Sequence, residues 1–405
     1  MGLPSSLDMG LRSWVLFARR LGGGRRSVNT GMGSRQGMTE PLTSPEHVKL
    51  SLAAAMQLGY SPARFHRGAR MTCINLLLTY AEGCAANCSY CGLARGRRIA
   101  AEDDRSFIRV PWPVKPTADV IERIARNRVV QRTCISMITH ARSVADSIGI
   151  ARRLREGTAR PTSVLLSPTL IDRHDVEALR EAGVDRVGVA FDLATEALFD
   201  RHRGRGARGP HRWARYWEVF GECVEVFGLG KAGSHFIVGL GETEREMVGA
   251  LQRVRDLGGV NHLFSFFPEG GSALADHPQP PMDAYRRIQI ACELIDTGSS
   301  RADLMRFDEE GRVVDFGAAP AALKALIDSG QPFRTRGCHG GNGEVACNRP
   351  YANSLPDDDL LRNYPFAPNE EDLKRIRKQL TTTEGTDGVK EKTLRNTRLP
   401  FRGAR

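Results

Sequence analysis

No apolar run in this 405-residue chain approaches the roughly 18 residues that a membrane-spanning helix needs. The stretch Ser13-Trp14-Val15-Leu16-Phe17-Ala18 is short for a secretory signal, and no small-residue cleavage site follows it. Its Arg-rich, acid-poor surroundings read either as a transit peptide or as an unstructured start. Cysteine is sparse and odd in number, nine in all, which excludes a disulfide scaffold. A reducing, cytoplasmic compartment follows as the expectation, with thiols left for metal or catalytic work. Acids fall short of bases, 47 against 58, for a net charge of +11. Such a balance ordinarily raises nucleic acid or an anionic membrane as partner. The distribution argues against both. Residues 1–36 carry +5 and residues 373–405 carry +7, so the body between them is near neutral. The basic ends are Gly/Arg/Ser-rich and Thr/Lys/Arg-rich and read as disordered tails, 1–43 and 381–405.

What is present is ample apolar material, 41% of residues, arranged in a rhythm. Ser44-Pro45 before an apolar run to Leu58 reads as a helix start, the core of a pre-barrel segment 44–70. Strands are predicted at 74–78, 132–138, 163–166, 185–191, 231–238, 262–267 and 303–307, with an eighth near 332–335. Helices are predicted between them, the last over 321–328. Alternating strands and helices imply parallel pairing with crossovers. Seven or eight units over 71–335 fit an α/β fold of the (βα)8 TIM-type barrel, with chemistry at the C-terminal strand ends. A C-terminal extension, 336–380, follows.

The sharpest motif comes directly after the first barrel strand. In Tyr80-Ala-Glu-Gly-Cys84-Ala-Ala-Asn-Cys88-Ser-Tyr90-Cys91, three cysteines stand at C-x3-C-x2-C. A short loop with Gly83 at its turn can wrap three thiolates around one face of an iron–sulfur cube, leaving one iron open to substrate or cofactor. Zinc would need a fourth ligand close by; the next histidine, His140, is 49 residues beyond Cys91. Buried thiols without a metal are the third reading.

These residues resemble the signature of the radical S-adenosylmethionine (SAM) superfamily. The resemblance implies that Cys84, Cys88 and Cys91 hold a [4Fe–4S] cluster, that SAM chelates the open iron, and that Tyr90 lies against the adenine. Reductive cleavage of SAM to a 5′-deoxyadenosyl radical would follow. Gly233-Ser-His-Phe-Ile237-Val-Gly239-Leu-Gly241-Glu242-Thr243 looks like the glycine-rich fifth strand of the biotin synthase branch, which implies that Ile237, Gly239 and Glu242 belong to the SAM site. Asp192 matches an acidic position used on the SAM ribose; a helix cap is its alternative. The second cluster of biotin synthase takes three cysteines and an arginine. Here Cys134 falls on the first of those positions and Arg306 on the last, while Val164 and Gly233 replace the other two cysteines.

Cys223 and Cys292 sit in helical runs and read as core thiols. Cys73, Cys134, Cys338 and Cys347 remain, the count for a fully ligated auxiliary iron–sulfur cluster; a strand pair and a structural pair is the alternative. Ser51–Gly59, Cys73–Tyr80, Cys134–His140 and Asn348-Arg-Pro-Tyr-Ala-Asn353 resemble the two-component lipoyl synthases. That group is expected to have a tight Cys-Pro-Gly-Cys, whereas eight residues separate Cys338 from Cys347 here. The resemblance implies sulfur insertion into an octanoyl chain on a lysine of an acceptor protein. It also implies a paralogous radical SAM partner and an electron donor such as ferredoxin or flavodoxin. A biotin synthase-like enzyme without sulfur insertion is the rival, and a non-catalytic zinc or RNA-binding protein a third class. His140 and His235 near strand ends read as cavity or core residues, Arg203 and Arg212 as carboxylate contacts or solvated surface.

Overall fold

The computed structural model describes residues 42–97, 110–352 and 354–381. The two expected basic tails therefore lie outside the described residues, apart from 42, 43 and 381. The chain opens with β1 (His47–Leu50), α1 (Leu52–Gln57), β2 (Cys73–Leu77) and β3 (Val114–Pro116). Then come α2 (Thr117–Arg126), β4 (Arg132–Ser136), α3 (Ser143–Gly157), β5 (Thr162–Leu166) and α4 (Arg173–Glu181). The middle holds β6 (Val184–Asp192), α5 (Glu196–His202), α6 (Trp213–Phe227), β7 (Ala232–Val238), α7 (Glu244–Asp256) and β8 (Val260–Ser265). The chain continues through α8 (Met282–Thr297), the hairpin β9 (Arg306–Phe307) and β10 (Val313–Asp315), α9 (Pro320–Ser329) and α10 (Glu370–Thr381).

One sheet of eight strands runs in the order β3-β1-β2-β4-β5-β6-β7-β8. Every neighbouring pair from β2 to β8 is parallel. Only β1, paired to β2 and β3, is antiparallel. This mostly parallel sheet with helices between its strands is the expected α/β architecture of the (βα)8 barrel type.

The ends differ from the expectation. Where one helix was predicted from Ser44, His47–Leu50 form a strand with Val48 and Leu50 fully buried, a period of two. The helix begins only after Ser51, whose hydroxyl accepts from Ala54 N at 3.1 Å. The predicted seventh strand is a 3-10 turn, Ala302–Leu304, running into β9. Among the described residues β9 pairs only with β10. The predicted eighth strand is the 3-10 turn Gln331–Phe333. Short apolar runs without alternation do not separate these cases.

Register divides the sheet into two faces, because paired residues in parallel strands point the same way. Val187, Val189 and Phe191 of β6 are fully buried on the face that packs against α6. Phe191 sits at the centre of an aromatic group, 4.2 Å from the Trp217 ring and 5.6 Å from Phe236. Phe191→Ala should cost about 3–5 kcal/mol of stability through transfer and cavity terms. Urea unfolding checks it; a loss under 1 kcal/mol would place the core elsewhere.

Candidate active site

The cysteine loop leaves the C-terminal end of β2 and is fastened on several sides. Ala85 N donates to Thr139 O at 2.8 Å, and Ser89 N to His202 O at 2.9 Å. Arg97 reaches Gly92 O at 2.8 Å and Glu269 at 3.1 Å, an ion pair almost wholly out of water. Gly83 takes a φ of 72°, which a side chain would strain. The loop brings the three thiols into electrostatic reach of one another. Burial pushes Cys88 up to about 11; Arg203 opposes the shift, and Asp192 and Cys84 add to it. Burial and then Cys88 raise Cys91, which also feels Cys84 and accepts from Leu93 N at 3.4 Å. Among the described residues no three His, Cys, Asp or Glu side chains gather tightly enough for a single metal ion. Thiolates at the corners of an iron–sulfur cube stand farther apart than the ligands of one ion.

Beside this loop, β6 ends on Asp192 at φ 65°, after a bulge in its pairing with β7. The carboxylate oxygen Oδ2 accepts from the Tyr90 hydroxyl at 2.6 Å and from Arg203 Nη1 at 2.6 Å. Burial raises the Asp192 carboxyl, and Arg203 and Tyr90 hold it back. The alternative reading of Asp192 as a helix cap does not hold, because Thr195 caps α5. Arg203, expected at least as readily on the surface, is buried. Its Nη1 also meets the Ala190 carbonyl, and its guanidinium lies 4.9 Å from the Tyr216 ring centroid. Its Nε finds no partner among the described residues. Arg212 is exposed, as its surface reading had it.

The glycine-rich turn closes β7. Gly239 and Gly241 take φ of 103° and 109°, and a Cβ on Gly239 would stand 2.6 Å from Pro280. Glu242 holds the turn together, accepting from Gly239 N at 2.6 Å and Leu240 N at 3.0 Å. Burial lifts this carboxyl to about 7 against those two N–H groups. His277 Nε2 donates to Gly239 O at 3.0 Å. A cavity of about 230 Å³ lies here, between Gly239, Glu242, His277 and Pro280. Ile237 is half-buried two residues earlier.

Cys73, Cys134, Cys338 and Cys347 also come together. Cys73 opens β2, and Cys134 is paired with Asn75 two residues further along that strand. The extension delivers the other two. Thr72 Oγ1 donates to Ala346 O at 2.6 Å, and Asn348 Nδ2 donates to Arg70 O at 2.7 Å. Cys347 N and Ala346 N both donate to Cys338 O at 3.0 Å, and His339 bridges to Val345. The eight intervening residues thus leave and return, and the two cysteines are neighbours. A Cβ on Gly337 would lie 2.4 Å from Cys347 O, so the crossing needs glycine. The thiols lie within electrostatic reach of one another. Cys73, with Arg349 and Arg132 nearby, draws Cys347 down to about 6 despite its burial. Cys347, with burial, raises Cys73. Burial, then Cys347 and Cys338, pushes Cys134 up to about 12. Burial and Cys347 push Cys338 up to about 11.

Other expectations part from the geometry. Val164 is fully buried in the core, while Ser163, paired with Cys134, shares that cysteine's face. Gly233 does share that face, packed so that a Cβ would lie 2.9 Å from His262. Arg306 is neither cluster ligand nor substrate contact: its side chain is 77% exposed and pairs with Asp315 at 2.7 Å. His140 is stacked on Tyr80 at 3.7 Å and lies 3.5 Å from Glu82. Cys223 and Cys292 are buried in α6 and α8, and all nine cysteines are unbridged. Sequence reasoning missed Arg132, which lies buried and forks onto Asp185 at 2.7 and 2.6 Å while donating to His339 O. It also missed His211 and His262. None of the three has apolar residues on both sides, so the sequence carries no local signal of their burial.

Three histidines, His211 and His262 buried and His235 half-buried, are held neutral. Burial, with Arg203 and Arg212 nearby, takes His211 down to about 2. Burial and Arg349 take His235 down to about 3. Burial, His235 and Arg349 lower His262 as well. A folded-state pKa below the unfolded value of ~6.5 means that only the unfolded chain takes up the proton as pH falls. The stability is intact above ~6.5 and declines below it by about 1.4 kcal/mol per pH unit and histidine. Chemical denaturation of the cluster-free protein should therefore show marked destabilisation between pH 7 and pH 5, and His235→Gln should flatten the slope by one histidine's share. An unchanged slope in that variant would contradict the burial of His235.

Residues 78–254 match the family model of the Radical SAM superfamily. Among solved structures, methylornithine synthase is 12% identical with a TM-score of 0.43, over 60% of this chain and 66% of its own. The FeFe-hydrogenase maturase HydG from Carboxydothermus hydrogenoformans is 12% identical with a TM-score of 0.44, over 81% of each chain. The radical S-adenosylmethionine methyltransferase TsrM from Kitasatospora setae is 16% identical with a TM-score of 0.35, over 52% of this chain and 39% of its own. The chain therefore spans just under two thirds of methylornithine synthase and well under half of TsrM. No curated protein sequence gives a significant match. No helix among the described residues is long and apolar enough to cross a membrane.

Proposed function

We propose that this chain, whose residues 78–254 match the model of the Radical SAM superfamily, inserts sulfur at an unactivated C–H carbon. In this reading it is one half of a two-component lipoyl synthase acting on a protein-bound octanoyl-lysine beside a paralogous partner. The observation that carries sulfur insertion is the meeting of Cys73, Cys134, Cys338 and Cys347, separate from the signature loop. A C–H bond of this kind yields to no side-chain base, and the inserted sulfur needs a source. When bound, a [4Fe–4S] cluster with SAM supplies a hydrogen-abstracting radical, and a second, sacrificed cluster supplies sulfur.

The residues present fit these groups. Cys84, Cys88 and Cys91 would hold the first cluster, and Cys73, Cys134, Cys338 and Cys347 the auxiliary one. The unpartnered Nε of buried Arg203 is the kind of donor that a carboxylate satisfies. Asp192 would accept from a ribose hydroxyl, and Tyr90, tethered to it, would keep an aromatic ring beside the thiols. Ile237 and the glycine turn at Gly239 would pack beside a purine, and Glu242 would keep the turn in shape. Arg132 holds the extension against β4 and Asn348 holds it beside β2, and so they keep the auxiliary thiols together and away from water.

Anaerobic reconstitution should load about eight irons per chain in wild type and about four in a Cys338→Ser/Cys347→Ser variant. About four in both would remove the auxiliary cluster and favour a biotin synthase-like enzyme without sulfur insertion. With partner, SAM and reductant, an octanoylated acceptor should gain mass as sulfur; SAM cleavage without that gain would overturn the substrate. Asp192→Asn should weaken SAM binding about tenfold or more, because a charged hydrogen-bond acceptor becomes neutral. Equilibrium dialysis reads this, and unchanged affinity would remove Asp192 from the site.

A further inference from the structure

The outer surface of the cysteine loop is unusually basic for a body that is near neutral. Residues 200–212, Asp-Arg-His-Arg-Gly-Arg-Gly-Ala-Arg-Gly-Pro-His-Arg, hold five arginines and a single acid. The acid, Asp200, is spent inside its own segment, where Oδ1 accepts from Arg205 N at 3.0 Å. Arg203 is turned inward onto Asp192. Arg201, Arg205, Arg208 and Arg212 are exposed.

This segment is laid directly over the loop that carries the thiols. Asn87, between Cys84 and Cys88, donates to Ala207 O at 2.8 Å. Arg95, itself exposed, spans the seam: Nη1 donates to Ala85 O at 3.2 Å and Nη2 to Arg208 O at 2.6 Å. Gly96 N closes the corner on Asn87 Oδ1 at 2.9 Å. Ala85, next to Cys84, is exposed. The arginines and the outermost part of the loop therefore share one face. Among the described residues that face carries no exposed aromatic side chain on which a nucleic-acid base could stack.

We propose that Arg95, Arg201, Arg205 and Arg208 form the docking face for a small acidic electron-transfer protein. The proposal rests on the radical SAM reading, in which the iron–sulfur group held by Cys84, Cys88 and Cys91 must receive one electron. One electron leaves the docked protein, which is oxidised by one, and enters that group, which is reduced by one; no bond is made or broken and no proton moves. Charge complementarity accelerates encounter and sets orientation more than it deepens affinity, which suits a partner that must arrive, deliver and leave.

The test uses the full reconstituted chain and two acidic probes, a ferredoxin and a flavodoxin. Binding is measured by biolayer interferometry at low and high salt, and SAM cleavage is driven either by the reduced probes or by dithionite. One probe at least should bind wild type, with association falling steeply as salt rises. Arg201→Glu/Arg205→Glu/Arg208→Glu should slow association about tenfold or more and slow probe-driven cleavage with it. Dithionite-driven cleavage should be unchanged. Equal binding of wild type and variant, or binding of neither probe to wild type, would overturn the docking face. A parallel loss with dithionite would assign the arginines to the fold and overturn it too. Absence of cleavage in wild type with dithionite would instead strike the radical SAM reading itself.

Discussion

Asp192 carries more of this molecule than its size suggests. A buried carboxylate is costly unless it is paired, and here the pairing comes from two directions. Arg203 reaches it from the end of α5, and Tyr90 reaches it from the cysteine loop. One oxygen atom thus joins the strand end, the helix after it and the loop with the thiols. The left-handed backbone at Asp192 turns the carboxylate toward that junction, and strain of this kind persists only where surrounding contacts hold it. Behind Arg203, the hydroxyl of Tyr216 and that of Thr169 lie 3.0 and 2.7 Å from His211 Nδ1. The aromatic group around Phe191 anchors the same strand from the opposite face. Core packing and the polar pairing of Asp192 are two sides of one strand, separated by the alternation of its side chains.

The second thiol group has a different origin. Its members come from the start of β2, the middle of β4 and a segment more than 200 residues later. Nothing local in sequence brings them together. The fastening is polar: Thr72 and Asn348 tie the extension to β2, and Arg132 ties it to β4 while forking onto Asp185. Farther out, Arg336 meets Glu293 and Asp296 of α8. A site assembled from charged hydrogen bonds in a dry interior is geometrically demanding. That demand keeps four thiols at one place.

The signature loop and most of the parallel strands were legible in the sequence because their signals are local. Three cysteines within eight residues need no tertiary knowledge, and a run such as Lys231–Val238 reads as a strand on composition alone. The chain ends were not legible, since His47–Leu50 looks like the first turn of a helix until its pairing with β2 is known. Register was illegible too. A one-residue shift moves a side chain to the other face of a sheet, and that is the whole difference between Val164 and Ser163. Arg203 looked like one arginine among many because burial of a long polar side chain depends on a partner contributed from elsewhere in the chain. Arg306 failed in the opposite direction: the strand on which it was placed is a short surface hairpin.

The eight residues between Cys338 and Cys347 separate distance along the chain from distance in space. Because the backbone returns to bond Cys347 to Cys338, the excursion is a detour hung from a closed neck. The entropy of closing such a loop grows only slowly with its length. The detour can therefore lengthen, shorten or change composition while the two sulfur atoms keep their positions. What must be preserved is the neck, with the glycine that lets the strands cross and the carbonyl that receives two amides. A search that demanded a fixed interval between these cysteines would measure the part of the segment that is free to drift and ignore the part that cannot.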